Sequence, residues 1–208
     1  MPSLTPDHDS APTEISRRTA IIKGTALTAA VWAAPAITSA APAFAQGSPP
    51  AGQRQSIDLR SSQQATGTDD PLVEVLLNGS WVPATAVNNG FYVAFPGTGF
   101  VDARGVCAGN TIFAFRVPFT LPAGFASPQL DGRAQADNDV AVRLNGSPVL
   151  AAQPANNSTS NFDGNNPAVF STDNPAFFVP GQNFLYFDVH NFGCPLALDL
   201  IATVTYLG

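Results

Sequence analysis

The sequence predicts an all-β protein, an antiparallel two-sheet sandwich standing behind an N-terminal export segment. Three observations carry that prediction. The 208 residues include 17 Gly, 19 Pro and 15 Phe but a single Met, a composition of strands and turns rather than helices. Apolar residues alternate with polar ones from Ile57 to Tyr206, and no stretch after residue 45 repeats with the helical period. Turn pairs such as Asn78-Gly79 and Asn145-Gly146 punctuate the alternating runs.

The N-terminus reads as an address. Ser16-Arg17-Arg18 and Lys23 precede an Ala-rich apolar run that ends at Ala43-Phe44-Ala45, which places cleavage between Ala45 and Gln46. The paired arginines resemble the twin-arginine export signal, with Ala20 and Ile21 standing where Phe and Leu are usual; an ordinary secretory signal is the alternative. Pro35 and Pro42 interrupt the run, so a stable membrane anchor is not expected. Residues 1–45 are therefore the signal, 46–55 a flexible Gly/Pro/Gln lead-in, and 56–208 the sandwich domain, exported with the help of the export machinery and secreted.

The elements follow in order. Ile57 and Leu59 mark a short first strand. Val73, Val75 and Leu77 alternate into Asn78-Gly79, and Trp81-Val82 begins the return of a hairpin. Phe91 to Phe95 is another apolar run, closed by the Gly-rich segment 96–99. Thr111 to Phe119 is the clearest pattern, with Phe113, Phe115, Val117 and Phe119 on one face and Arg116 on the other. Leu130 to Ala136 leads into Asp137-Asn138-Asp139 and the alternating Val140, Val142 and Leu144, which Asn145-Gly146 ends. Residues 153–175 form a long Asn/Ser/Asp/Pro loop with a short strand near Val169-Phe170, and loops of that length belong to function or disorder. Leu185, Phe187 and Val189 share a face of the next strand. Leu198, Leu200, Ala202, Val204 and Tyr206 do the same in the last.

L-P-A-G-F (121–125), L-D-G-R-A-Q-A-D-N-D-V-A-V-R-L-N-G (130–146), F-V-P-G-Q-N-F-L-Y-F-D-V-H-N (178–191) and L-D-L-I-A-T-V-T-Y (198–206) resemble galactose-binding-like jelly rolls, including the sugar-binding sandwich domains of some glycosidases. The resemblance covers Thr111 to Tyr206 and lies in fold motifs, a strand ending in a turn and a turn entering a strand. It implies a noncatalytic carbohydrate-binding or surface-binding module, without assigning ligand contacts.

Charge and chemistry narrow the function. The net charge is −6, no lysine follows Lys23, and the arginines 54, 60, 104, 116, 133 and 143 are scattered singly, which excludes a phosphate-binding surface and so nucleic acid as partner. His190 stands two residues after Asp188, but no G-x-S-x-G elbow accompanies it, and local bonding at a strand end is the plainer role. Glu74 is the only glutamate after residue 45, and sequence does not pair two aspartates across a sugar. Asp131, Asp137, Asn138 and Asp139 offer hard oxygens. Turn capping is their first reading, and a structural calcium, frequent in the resembled fold, is the alternative. Zinc and iron are not expected from two cysteines and a histidine so far apart.

Cys107 and Cys194, the only cysteines, predict a disulfide in an exported chain, with two free thiols as the alternative. Trp81, Tyr92, Phe162 and Phe192 lie in or beside expected loops, where a ring face can stack on a pyranose; core or rim packing competes with that role at each. The N-x-S/T matches at Asn78, Asn145 and Asn157 are turn chemistry before they are glycosylation sites. The expectation is an exported, noncatalytic module that binds a carbohydrate or cell-envelope glycan through loops at one end of the sandwich. A structural or protein-binding surface component is the alternative, followed by a secreted glycoside hydrolase.

Overall fold

The structure, a computed structural model, describes residues 52–61, 63–154 and 161–208, all within the unit Ala45–Gly208. The expected signal, with Arg17, Arg18, Ala45 and Gln46, lies outside the described residues, as does Asn157. Strands run in the order β1 (Arg54–Arg60), β2 (Asp69–Leu77), β3 (Ser80–Val87), β4 (Phe100–Asp102), β5 (Thr111–Leu121), β6 (Ala126–Asp137), β7 (Asp139–Leu144), β8 (Ala151–Ala152), β9 (Ala168–Thr172), β10 (Gly181–Asn191) and β11 (Ala197–Leu207). A 3-10 turn, Pro175–Phe177, precedes β10, and its backbone N–H at Ala176 donates to the Asn174 side chain. No helix among the described residues is long and apolar enough to cross a membrane.

All ladders are antiparallel and follow one path, β8-β7-β10-β5-β2-β3-β4-β11-β6-β9, with β1 beside β11. The path folds over so that both halves share one core. Phe113, Phe115, Val117 and Phe119 of β5 are buried, as are Leu185, Phe187 and Val189 of β10 and Leu198, Leu200, Ala202 and Val204 of β11. Register aligns these rows: Phe187 sits opposite Phe115 on one side and Val142 on the other. Across the core, the Phe170 and Phe187 rings meet edge to face at 6.4 Å. Full burial of each such side chain contributes roughly 1.5–3 kcal/mol, so the period-two pattern is the dominant reason these segments are strands.

Local devices set the details. Asn78 (φ 51°) and Gly79 (φ 79°) both take the left-handed region that a two-residue hairpin requires. Gly132 has a different cause: a Cβ there would approach the Phe170 ring and the Ala202 Cβ to 2.6 Å, so only glycine lets β6 pack beneath that ring.

Two expectations about local structure change. The ladder begins at Arg54, inside the expected lead-in, because Arg54 and Gln55 pair with Leu207 and Tyr206 of β11. Phe91 to Phe95 forms no strand. Its backbone is satisfied by loop and side-chain partners instead: Val93 N–H donates to Phe162 O (3.1 Å) and Phe95 N–H to Asp199 Oδ2 (2.7 Å).

Candidate functional site

One end of the fold gathers the long loops, because β3, β6 and β10 end there and β4, β5, β7 and β11 begin there. Segments 88–99, 103–110 and 192–196 meet at this end, with the described residues 153, 154 and 161–167. The Cys107–Cys194 disulfide ties two of them, with Cα atoms 5.6 Å apart and a sequence separation of 87. It fits an oxidising compartment.

Buried polar side chains hold the loops from below. Gln135 of β6 donates from Nε2 to Val93 O (2.8 Å) and Asp199 Oδ2 (3.0 Å), and accepts at Oε1 from Gly164 N–H (2.8 Å). Asp199 of β11, fully buried, also accepts from Ser61 Oγ (2.9 Å). Gln153 donates to Asn161 O (2.8 Å) and Asn166 O (2.7 Å), while Asn161 Nδ2 reaches Asn138 O (2.7 Å). Burying amides and a carboxylate is tolerable only because they are bonded, and the bonds to Val93, Gly164, Asn161, Asn166 and Asn138 fix loop backbone atoms.

Above this layer lie two adjoining concavities. One, about 250 Å³, is lined by Gln63, Gln64, Asn88, Thr98, Tyr92 and Phe100 among others. The other, about 230 Å³, is lined by Asp137, Asn138, Phe162, Phe192, Gly193, Cys194 and Pro195. Tyr92 forms the partition. Its ring stacks on Phe100 (4.5 Å) and meets Phe162 edge-on (5.4 Å), and its hydroxyl donates to Asp137 Oδ2 (3.0 Å). Burial, with Asp137 alongside, pushes the Tyr92 hydroxyl far above the ordinary phenol range. Burial likewise raises Asp137 and Asp139 above the ordinary carboxylate range, opposed at Asp137 by the Tyr92 hydroxyl and at Asp139 by His190.

The structure thus brings Tyr92, Phe162 and Phe192 together with Asp137 and Asn138. Trp81 is elsewhere. It sits at the start of β3 beside the Asn78-Gly79 turn, as expected, and faces the outer side of the sheet, where the Arg116 guanidinium lies 4.2 Å from its ring centroid. Phe184 covers the other side of that guanidinium (4.4 Å), and Arg116 Nε donates to Glu74 Oε2 (2.6 Å).

The four hard-oxygen residues do not converge either. Asp131 pairs with Ser171 and Thr203 in mid-strand, six residues before Asp137 and so about 20 Å from it at roughly 3.3 Å per residue. Asn138 Oδ1 accepts from Phe192 N–H (2.7 Å), and Asp137 is engaged by Tyr92. The four do not fit one shared calcium, since Asp131 is remote; Asn138 Oδ1 and Asp137 Oδ2 serve the protein's own hydrogen bonds at the corner between β6 and β7.

His190 stands with Asp139 Oδ2 3.6 Å from Nδ1 and Asn110 Oδ1 3.4 Å from Nε2, and Phe192 packs beside its ring. Asp188 instead pairs with Arg143. Sequence reading does not single out Gln135, Gln153, Asn161 or Asp199. Their one signal is a polar residue inside an apolar strand or beside the long loop, which is also what a solvent-facing position looks like.

No family model matches the chain, and no curated protein sequence does. Among solved structures, it is similar to a family two carbohydrate esterase from Cellvibrio japonicus, at 11% identity and TM-score 0.35 over 75% of this chain and 35% of that one. It is also similar to the isomalto-dextranase of Arthrobacter globiformis T6 complexed with panose, at 14% identity and TM-score 0.34 over 74% of this chain and 32% of that one. The chain therefore spans about a third of the length of each.

Proposed function

We propose that this protein is an exported, noncatalytic module of jelly-roll, galactose-binding-like architecture that binds a carbohydrate or cell-envelope glycan at the loop end. The observation that carries the reading is a small pocket lined by Phe162, Phe192, Asp137 and Asn138, with Tyr92 of the neighbouring concavity bonded to Asp137 and the loops pinned from beneath by Gln135, Gln153 and Asp199. Aromatic faces meet the C–H faces of a sugar ring and fixed polar atoms orient its hydroxyls, while a preorganised pocket loses little entropy on binding. The amide-lined concavity beside it, with Gln63, Gln64 and Asn88, offers room for a neighbouring residue of a glycan chain. Catalysis does not enter the reading: His190 has Asp139 and Asn110 beside it and no serine, threonine or cysteine hydroxyl or thiol among these contacts, and Glu74 is held by Arg116 on the outer face.

Binding of the purified protein to a broad panel of immobilised polysaccharides and bacterial envelope glycans tests the reading. Retention is expected for at least one glycan, with loss in Phe162→Ala at unchanged circular dichroism. Absence of binding across the panel sinks it. In that event the outer sheet face, where Trp81, Phe184 and Tyr186 surround Arg116 and Leu72 and Leu76 are exposed, favours the second reading, a protein-binding surface component.

A further inference from the structure

The charge around the loop-end pocket is of one sign. Asp137 lines the pocket while only 6% exposed, and its Oδ1 has no hydrogen-bond partner among the described residues; Oδ2 alone is engaged, by the Tyr92 hydroxyl. Asp139, at the same corner and 9% exposed, leaves Oδ2 without a hydrogen bond and 3.6 Å from His190 Nδ1. No arginine among the described residues lines the pocket. Each is engaged elsewhere: Arg54 with Thr205, Arg60 with Asp58, Arg104 with Asp69, Arg116 with Glu74, Arg133 over the Phe95 ring and Arg143 with Asp188. No lysine follows Lys23.

A buried carboxylate with no counter-ion is costly, and the cost is relieved by whatever brings a cation to it. The same pocket presents Phe162 and Phe192, whose ring faces attract an ammonium group. Its volume of about 230 Å³ lies below the roughly 300–1,000 Å³ of ordinary ligand pockets, which is room for one small residue rather than a length of chain. A uronate or a phosphate would place a second negative charge beside Asp137. An N-acetylated amine would add bulk and supply no charge.

We propose that this pocket selects a glycan residue carrying a free amine, an unacetylated amino sugar whose ammonium group donates to Asp137 Oδ1 and rests against Phe162 and Phe192. The inference rests on the glycan-binding reading and deepens it to a ligand class. The Asp137–Tyr92 bond supports it by fixing the carboxylate, so that Oδ1 is the atom presented to the ligand.

Titration calorimetry of the purified protein with a glucosamine tetramer, its fully N-acetylated counterpart and a galacturonate tetramer tests it. The deacetylated tetramer is expected to bind at least about tenfold more tightly than the acetylated one, the effect of a charge-assisted hydrogen bond, and the galacturonate not at all. Asp137→Asn should remove the preference, whereas Asp131→Asn, which removes the same charge from a distant strand, should keep it. If Asp137→Asn does not fold, the acetylated and deacetylated affinities of the unaltered protein decide alone. Equal affinity for the two overturns the amino-sugar assignment and leaves the glycan reading standing. No binding of any oligosaccharide here or across the polysaccharide panel overturns both. A lysine-containing peptide bound as tightly as the amino sugar overturns the assignment in favour of a protein ligand.

Discussion

Tyr92 does most at the scale of single residues. Its ring belongs to a small satellite cluster with Phe100 and Phe162, and its hydroxyl supplies the one hydrogen bond to the Asp137 side chain among the described residues. Tyr92→Phe keeps the stacking and removes that donor. Leaving a buried acceptor short of its partner costs about 1–3 kcal/mol, so a loss of that size is expected in the denaturant midpoint, with little change in fold. An unchanged midpoint would show that water replaces the hydroxyl at no cost and that Asp137 is not held. The role of Tyr92 as an aromatic at the site was legible from its place beside a long loop. Its partnership with a carboxylate 45 residues away was not, because no local pattern records which loop a loop residue will meet.

Elements were more legible than sites, for a physical reason. Strands announce themselves through burial at period two, and β5, β7, β10 and β11 each place an unbroken apolar row on the core face. Phe91–Phe95 has comparable hydrophobicity but buries Phe95 against a loop layer, so composition alone mistakes it for a strand. Trp81 was legible as the start of the hairpin's return strand, and it pairs with Leu76 there; what the pattern left open was which sheet face its ring would serve. The disulfide joins the loop before β5 to the loop after β10, strands that are themselves paired from Thr111↔Asn191 onward, so the ladder brings the two cysteines to one end before any bond forms. Cys107→Ser/Cys194→Ser is therefore expected to fold and to melt lower, by up to roughly 4–5 kcal/mol in the chain-entropy model for a loop of this length. Thiol labelling of the denatured, unreduced protein should find no free thiol; two reactive thiols would end the assignment.

At the scale of the whole molecule, the same buried acids set how stability responds to pH. Burial raises Asp102, Asp137 and Asp139 above the ordinary carboxylate range. Each therefore binds its proton more readily in the folded chain than in the unfolded one. Their contribution grows as pH falls from neutral through the raised folded values, and levels off near the unfolded value of about 3.9. The melting temperature is expected to rise as pH falls from neutral towards the unfolded carboxylate value, with a flatter profile in Asp137→Asn. A steady fall over that interval would contradict it. The all-β, antiparallel class was visible in the sequence because it is built from local alternation and turns. The site was visible only as candidate residues, since it is assembled from loops that the topology gathers at one end. The account stands most directly on that end being where a glycan binds. Amide chemical-shift mapping of the labelled protein, titrated in turn with cello-, malto-, xylo- and chito-oligosaccharides, measures this. A saturable response is expected at Val93, Gly164, Phe192 and Gly193, with Gly146 and Tyr186 unmoved. Shifts confined to the outer sheet face, or no saturable shift with any of the four series, would contradict it.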